Sequence, residues 1–428
     1  RAYVAECRDY PNGAGPDGAV NSTIRLLEDL DGDGVPDRST LFADKLSFAT
    51  SVACWRGGIL VAAPPDILFL KDTDGDGRAD VREVVLTGFK RGVSDSLVNG
   101  LRFHLDGRIH AANGGNGGVI RSSRWKGVDL ERGPVDLRNH DFAFQPDTGT
   151  VDLTTQSSGG FGLVFDDYGR KFTTYNINHI QHCPLPRRYA EHYEGLSTEL
   201  LTVGISDHGE MSRIFPVSEA QTRPNHPEQA GHFSAAGGMG YLGSGRWPSP
   251  FYGSVLVGDV VGNLVHRDQL RDTIAGLEAS RGTNELTREF LASRDPDFRP
   301  VAMESGPDGA LYVVAMQRKV IEHPDYIPAA VRAGMDLRAG SDRGRIYRLA
   351  PRSGFPPVKV NLGKLKNAEL VALLAHDDQW WRITAQRLLV ERRATDASAA
   401  LRALAADPRI PLGRLHALWT LNDLGECT

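Results

Sequence analysis

Hydrophobic and polar residues alternate in short runs over the first 350 positions, and each clear run follows a turn centred on glycine. Five segments show it most plainly: RGGILVAA (56–63), LDGRIHAANG (105–114), DYGRKFTTYN (167–176), FYGSVLVGDV (251–260) and PDGALYVVAM (307–316). A sixth copy, RAYVAEC, opens at Arg1 in mid-strand with its turn cut off. Alternation at a period of two marks a half-buried strand. Turn and strand recurring at intervals of tens of residues point to radial repeats, whose sheets bury their faces against one another. Six anchors predict a mainly β fold, a six-bladed β-propeller over residues 1–350 with its first blade truncated. The run RGRIYRLAP (343–351) reads as a last strand that closes the ring against N-terminal sequence.

After a linker at 351–360 the period changes. Leu370, Leu373, Leu374, Trp381, Ile383, Ala385, Leu388 and Leu389 fall at helical spacing, with Asn367 as the expected N-cap. DASAALRALAADPRIPLGRLHALWTLNDLG (396–425) repeats the theme. Residues 361–428 thus read as a small α-helical region of HEAT-like paired helices, a repeat type that continues for further units.

Composition narrows the function. A net charge of −5 without a basic block argues against a nucleic-acid partner. No apolar run reaches the ~18 residues of a membrane span. Neither a signal-peptide pattern nor an initiating Met is present, so a fragment of a longer protein is expected. Cys7, Cys54, Cys183 and Cys427 have no metal spacing and no CxxCH, so no haem attaches in this chain. Cys7 and Cys54 lie in early strands where a disulfide is conceivable, but buried free thiols are the simpler reading.

Two acidic loops carry the clearest chemistry. Asp72-Thr73-Asp74-Gly75-Asp76-Gly77-Arg78-Ala79-Asp80-Val81-Arg82-Glu83 matches a twelve-residue calcium loop. Asp72, Asp74, Asp76, Asp80 and Glu83 supply carboxylates, Arg78 a carbonyl, and Gly77 the sharp turn. In the loop from Asp29, the residues Asp29, Asp31, Asp33, Val35 and Asp37 repeat the first nine positions, but Thr40 replaces the bidentate Glu, which predicts weaker binding. The loops start 43 residues apart, near one blade repeat, so they are expected at equivalent places on adjacent blades, at blade edges rather than the channel, holding structural Ca²⁺.

Polar clusters follow several strands. Asn178, His179 and His182 follow KFTTY; His208 lies in SDHGE; His232 precedes a Gly-rich turn; Asn263 and Arg267 follow VLVGDV; Arg318 follows LYVVAM. Imidazole is a usual general base at neutral pH, and guanidinium grips carboxylates in forked geometry. A ring of such groups would suit an anionic quinone or a polyol, although loop polar groups also serve merely to satisfy backbone. No Ser-His-Asp, HExxH or GxGxxG constellation occurs.

Several long motifs carry a family resemblance: RDYPNG (8–13), ILFLKDTDGDGRADVREVVLTGF (67–89), NGLRFHLDGRIHAANG (99–114), VGNLVHRD (261–268), EFLASRDPDFRPV (289–301), GPDGALYVVAMQRKVIEHPDYIP (306–328) and DLRAGSDRGRIYR (336–348). They span nearly the whole chain and resemble the large secreted planctomycete and verrucomicrobial proteins known as membrane-bound dehydrogenases. That resemblance implies a propeller, then HEAT repeats, then a c-type cytochrome domain on the same parent chain, in a periplasmic or otherwise extracytoplasmic setting. The propeller is more distantly similar to sorbosone and soluble glucose dehydrogenases, which implies pyrroloquinoline quinone (PQQ) with Ca²⁺, a sugar or polyol substrate, and hydride transfer with a His base. Two departures matter. Ser96 stands where the catalytic His is expected, and Ser158-Gly159-Gly160 replaces an Arg-Asn pair. If the propeller is catalytic, His179 or His232 would serve as base, with Asn178, His182, His208, Asn263, Arg267 and Arg318 binding cofactor or substrate. The competing readings are a calcium-stabilised propeller that binds carbohydrate or a protein without catalysis, and a purely structural module. Convergence of His179, His232, Arg267 and Arg318 on one channel mouth would favour the enzyme.

Overall fold

Six sheets surround one axis, a six-bladed β-propeller with helices after it. The structure is a computed structural model that describes residues 1–13, 20–193, 195, 202–219, 223, 225–274, 276–355, 358 and 361–427. The first sheet is β1 (Ala2–Glu6), β2 (Ser22–Glu28) and β3 (Arg38–Leu46). The second is β4 (Ser51–Trp55), β5 (Gly58–Ala63), β6 (Asp66–Lys71) and β7 (Val81–Phe89). The third is β8 (Asn99–Phe103) and β9 (Ile109–Ala112) with β12 (His140–Phe144) and β13 (Val151–Gln156). Between β9 and β12, the strands β10 (Gly118–Arg121) and β11 (Val135–Asp136) cross over and extend the second sheet. Gly88 permits this crossing: its φ is +106°, and a Cβ there would lie 2.1 Å from the Val119 carbonyl oxygen.

The fourth sheet is β14 (Leu163–Phe165), β15 (Lys171–Tyr175), β16 (Asn178–Cys183) and β17 (Val203–Gly204). The fifth is β18 (Ala236–Tyr241), β19 (Ser254–Asp259), β20 (Leu264–Thr273) and β21 (Gly276–Arg281), with β22 (Leu291–Ala292) against β20. The sixth is β23 (Phe298–Ser305), β24 (Leu311–Gln317) and β25 (Gly344–Leu349). Core side chains lie between successive sheets. Leu60, Ile67, Leu86, Ile109 and Phe142 join the second to the third, and Phe172, Ile180, Val257 and Leu264 join the fourth to the fifth. Covered on both faces, strands such as β5 are buried at every position, so their alternation is in side-chain size and direction rather than polarity.

The first sheet is offset by one strand. β4, β8, β14, β18 and β23 each open their sheet and line the axial cavity. They all finish at the end covered by the helices, where Arg56, just after β4, donates to the Glu391 carbonyl at 2.7 Å. β1 runs the other way, from Asp29 and Arg348 at the helical end toward Arg318, which donates to the Cys7 carbonyl at 3.4 Å. It therefore holds the second-strand position, in agreement with its anchor motif. The two acidic loops confirm the offset: one joins β2 to β3 and the other β6 to β7, equivalent corners of adjacent blades.

Ring closure differs from the sequence expectation. Among the described residues, β25 pairs only with β24. The sixth blade instead meets the first through arginines on backbone carbonyls: Arg318 on Cys7, and Arg338 on Arg8 at 3.2 Å and on Gly13 at 2.6 Å. All four cysteines are free. Neither Cys7 nor Cys54 is buried as expected: Cys7 is half-buried and Cys54 is exposed toward the cavity, while Cys183 is the buried one.

Among the described residues, four α-helices follow: Asn367–Leu373, Gln379–Arg392, Ser398–Ala406 and Pro411–Asp423. Asn367 is the first helical residue rather than the cap; Glu369 closes the turn by accepting from the Lys366 amide at 2.7 Å. The second of these helices docks on the propeller. Gln379 donates to the Phe165 carbonyl (3.1 Å), Trp381 to that of Pro307 (2.9 Å) and Gln386 to that of Leu105 (2.7 Å). No helix among the described residues is long and apolar enough to cross a membrane.

Candidate functional site

An axial cavity of about 1730 Å³ runs through the ring. Trp380, Ile383, Thr384, Arg387 and His416 cover its helical end. Loops crowd the opposite end, where Tyr10, Asp95, Tyr175, Asn176, Arg223 and Glu322 face inward from five different parts of the chain. Asp95 sits in a one-turn 3-10 helix, Ser94–Ser96, that leads into β8. Its carboxyl receives the Tyr10 hydroxyl and lies near the Ser94 hydroxyl at 3.3 Å. Burial pushes Asp95 above the usual carboxylate range, and the Glu322 charge adds to the shift. Glu322 is itself anchored, accepting from Arg223 Nε at 2.8 Å and from the His323 amide at 3.0 Å. A carboxyl whose proton affinity is raised by burial and by a neighbouring carboxylate is suited to take a proton from a hydroxyl or return one.

Sequence reasoning located this segment through Ser96 but passed over its neighbour Asp95. Its own candidates lie elsewhere. None of His179, His232, Asn178, His182, His208, Asn263, Arg267 and Arg318 lines the cavity. Arg267 is buried against Glu285 (3.0 Å) and over the Phe251 ring. Arg318 is spent on the carbonyls of Arg338 and Cys7. Asn263, at φ +56°, donates to the carbonyls of Pro296 and Phe298. His182 stacks on Phe172 and bonds the Lys171 carbonyl. Asn178 donates to Glu210 at 2.9 Å, and the His232 ring bonds the carbonyl of Ala230. The four residues expected at one channel mouth are dispersed among blade interiors and a surface turn, because ring packing turns strand side chains toward neighbouring blades.

His179 and His208 do meet, in a group with His266 and Asp268 between the fourth and fifth blades; all but the half-buried His208 are buried. Burial pushes His179 down to about 4. Burial also depresses His266, but Asp268 and Glu289 outweigh it and hold this imidazole up at about 9.

The acidic loops are folded on themselves. Asp72 accepts from the amides of Gly75 (2.6 Å) and Gly77 (2.9 Å), and Asp29 likewise from Gly32 (2.6 Å) and Gly34 (2.9 Å). Carboxylates gather as Asp72, Asp74 and Asp80, and as Asp29, Asp31 and Asp33. Glu83, the expected twelfth ligand, is turned away to Arg124 at 2.5 Å. Asp76 accepts from the Arg78 amide, Asp33 from that of Val35, and Asp37 from that of Leu30, so these positions shape the loops. The first loop also departs from expectation in place: Asp29 and Asp33 line the cavity at its helical end.

Comparison with known proteins adds little chemistry. The profile of one family, a domain of unknown function (DUF7133), matches residues 1–353. No curated protein matches. Among solved structures, a glucose dehydrogenase is similar at 14% identity, with a TM-score of 0.40 over 68% of this chain and 86% of its own. The apo-form soluble aldose sugar dehydrogenase of Escherichia coli is 12% identical, with a TM-score of 0.36 over 73% and 96%. The calcium-binding protein regucalcin of Agrobacterium tumefaciens is 12% identical, with a TM-score of 0.37 over 81% and 93%.

Proposed function

This chain belongs to the DUF7133 family, whose description names no activity, and from the site itself we propose that the axial cavity binds a neutral polyhydroxylated molecule, a sugar or polyol, with Asp95 as its proton-exchanging residue. The observation that carries this reading is the raised Asp95 carboxyl facing the cavity beside Tyr10 and Glu322. Around it, Ser94, Ser96, Asn176 and Asn225 offer hydroxyl and amide groups, and Tyr175 and Tyr326 offer aromatic faces. Short neutral donors and acceptors beside flat apolar rings suit a sugar.

PQQ, implied by the family resemblance, carries three carboxylates that need unpaired cations. The guanidinium groups lining the cavity are already paired: Arg1 with Glu28, Arg102 with Glu304, Arg223 with Glu322, Arg348 with Asp308 and Arg387 with Glu391. The lining therefore suits a neutral ligand better than the quinone. The cytochrome acceptor and extracytoplasmic setting belong to the dehydrogenase form of the proposal.

Calorimetric titration with aldoses and polyols, with and without PQQ and Ca²⁺, tests the reading. Saturable binding of at least one sugar is expected, weakened tenfold or more by Asp95→Asn. Any activity should show an acid limb above the usual carboxylate range that disappears in this variant. A sugar panel that does not bind, or an Asp95→Asn protein that binds as the parent does, would overturn it.

Calcium is proposed for the loop at Asp72, Asp74 and Asp80, as a structural ion. A ligand at a hundredfold excess over its Kd stabilises the folded state by about 2.7 kcal/mol. Added Ca²⁺ should therefore raise the Tm of chelator-treated protein, and Asp72→Asn should abolish the rise. An unchanged Tm at millimolar Ca²⁺ would refute a calcium role there.

A further inference from the structure

We propose that His179, His208, His266 and Asp268 form a four-ligand site for a divalent transition ion of the zinc type, which ties the fourth blade to the fifth. His179 lies on β16, His266 and Asp268 lie on β20, and His208 lies in the loop after β17. One ligand atom from each of the four falls within 4.8 Å of the others. His179 Nε2 is 2.9 Å from one Asp268 oxygen, and His266 Nε2 is 3.1 Å from the other. Two ligands on a tetrahedral zinc with bonds of 2.0–2.1 Å stand about 3.3 Å apart. An ion would thus enter with a spread of a few tenths of an ångström at these pairs.

Two of the three imidazoles, His266 and His208, have the outer contact that a metal-bound His needs. A ligating His presents one nitrogen to the ion while a carboxylate or carbonyl holds the other. His266 Nδ1 is held by Glu289 at 2.8 Å, and His208 Nδ1 by Asp207 at 2.6 Å. That leaves Nε2 of each ring to turn inward. The His208 Nε2 is buried and has no hydrogen-bond partner, and neither has the buried Nδ1 of the wholly buried His179. An ion-pair network of His266, Asp268 and His179 accounts for the two short contacts but not for the orphaned nitrogen of His208. Phe233 stacks on His179 at 4.2 Å and forms an apolar wall.

The donor set selects the ion. Three imidazoles and one carboxylate favour zinc and its first-row neighbours over calcium, which takes oxygen ligands. With four protein ligands the coordination is closed, so the role is structural. His208, 21% exposed at its side chain, gives the ion its way in. The site is independent of the axial cavity and of the acidic loops.

Equilibrium dialysis of the chelator-stripped full chain against Zn²⁺, with metal analysis, gives the test. One ion per chain is expected at micromolar free zinc, with a rise in Tm. Co²⁺ should give the intense visible spectrum of a tetrahedral site. His208→Ala, in a surface loop, should keep the fold by circular dichroism and weaken zinc binding a hundredfold or more; Asp72→Asn should leave it unchanged. No zinc at this concentration, undiminished binding by His208→Ala, or stoichiometry that follows Asp72→Asn would each overturn the proposal.

Discussion

Replacing Arg382 with Met is expected to destabilise the protein by about 3–5 kcal/mol, the usual cost of breaking a buried ion pair from one side. Arg382 is wholly buried in the docked helix. Its guanidinium donates to the carbonyls of His376 (2.6 Å) and Asp377 (2.9 Å) and pairs with Asp167 at the turn before β15. Asp167 also accepts from the hydroxyls of Tyr252 (2.5 Å) and Tyr241 (3.0 Å). Burial already pushes this carboxyl above its ordinary range, against the pull of Arg382 and the two phenols. Without the guanidinium it must stay charged and poorly paired, or take up a proton. Asp167→Asn in the Arg382→Met background should therefore recover part of the loss. Urea unfolding at pH 7 measures both. A single-variant loss below ~1 kcal/mol would mean that this pair does not hold the helices on the ring.

Asp423→Asn is expected to stabilise the protein at alkaline pH and change little near pH 4. Asp423 ends the last helix and packs against the turn at Gly107. Burial pushes its carboxyl up to about 7, and the Asp106 charge adds to this; Asn422, Gln386 and Arg108 oppose it. One of its oxygens is buried without a partner. His104, His110 and Arg108 also surround Asp106, so the local charge is mixed. Because the folded-state value lies above the ordinary 3.8, the folded protein holds a proton that the unfolded chain releases. Below pH 3.8 both states are protonated and nothing is lost. Stability then falls as pH rises toward 7 and stays reduced above it, by at most about 4 kcal/mol. Thermal unfolding from pH 4 to 9 should show the two proteins diverging across that window; parallel curves would contradict the assignment.

Legibility in the sequence followed the range of the interaction. Turn–strand anchors such as RGGILVAA and PDGALYVVAM depend on neighbours in the chain, and each became the second strand of a sheet. The truncated anchor at Arg1 even carried the offset of the first sheet. Asp72, Asp74 and Asp80 cluster because a short glycine-bent loop folds them together. Glu83 points away from that cluster because it lies on β7, where Arg124, just after β10, pairs with it. His179 and Arg267 looked like channel residues because both are polar, yet the ring turned them into blade interiors. Buried Arg382 and Gln386 in an amphipathic helix were the available signal that this helix has a second, polar contact face.

The sequence by itself determined the number of blades, the acidic loops and the helical tail, since period and turn chemistry act over a few residues. Only the tertiary structure decided the site. Tyr10, Asp95, Arg223 and Glu322 are separated by up to hundreds of positions and have no common motif. They meet because a closed ring brings one end of every blade to a single axis, and burial there shifts the Asp95 carboxyl. The same closure set His208 beside His266 and laid the 379–392 helix over the cavity's other end. Such contacts arise from packing between distant segments, and local pattern does not encode them.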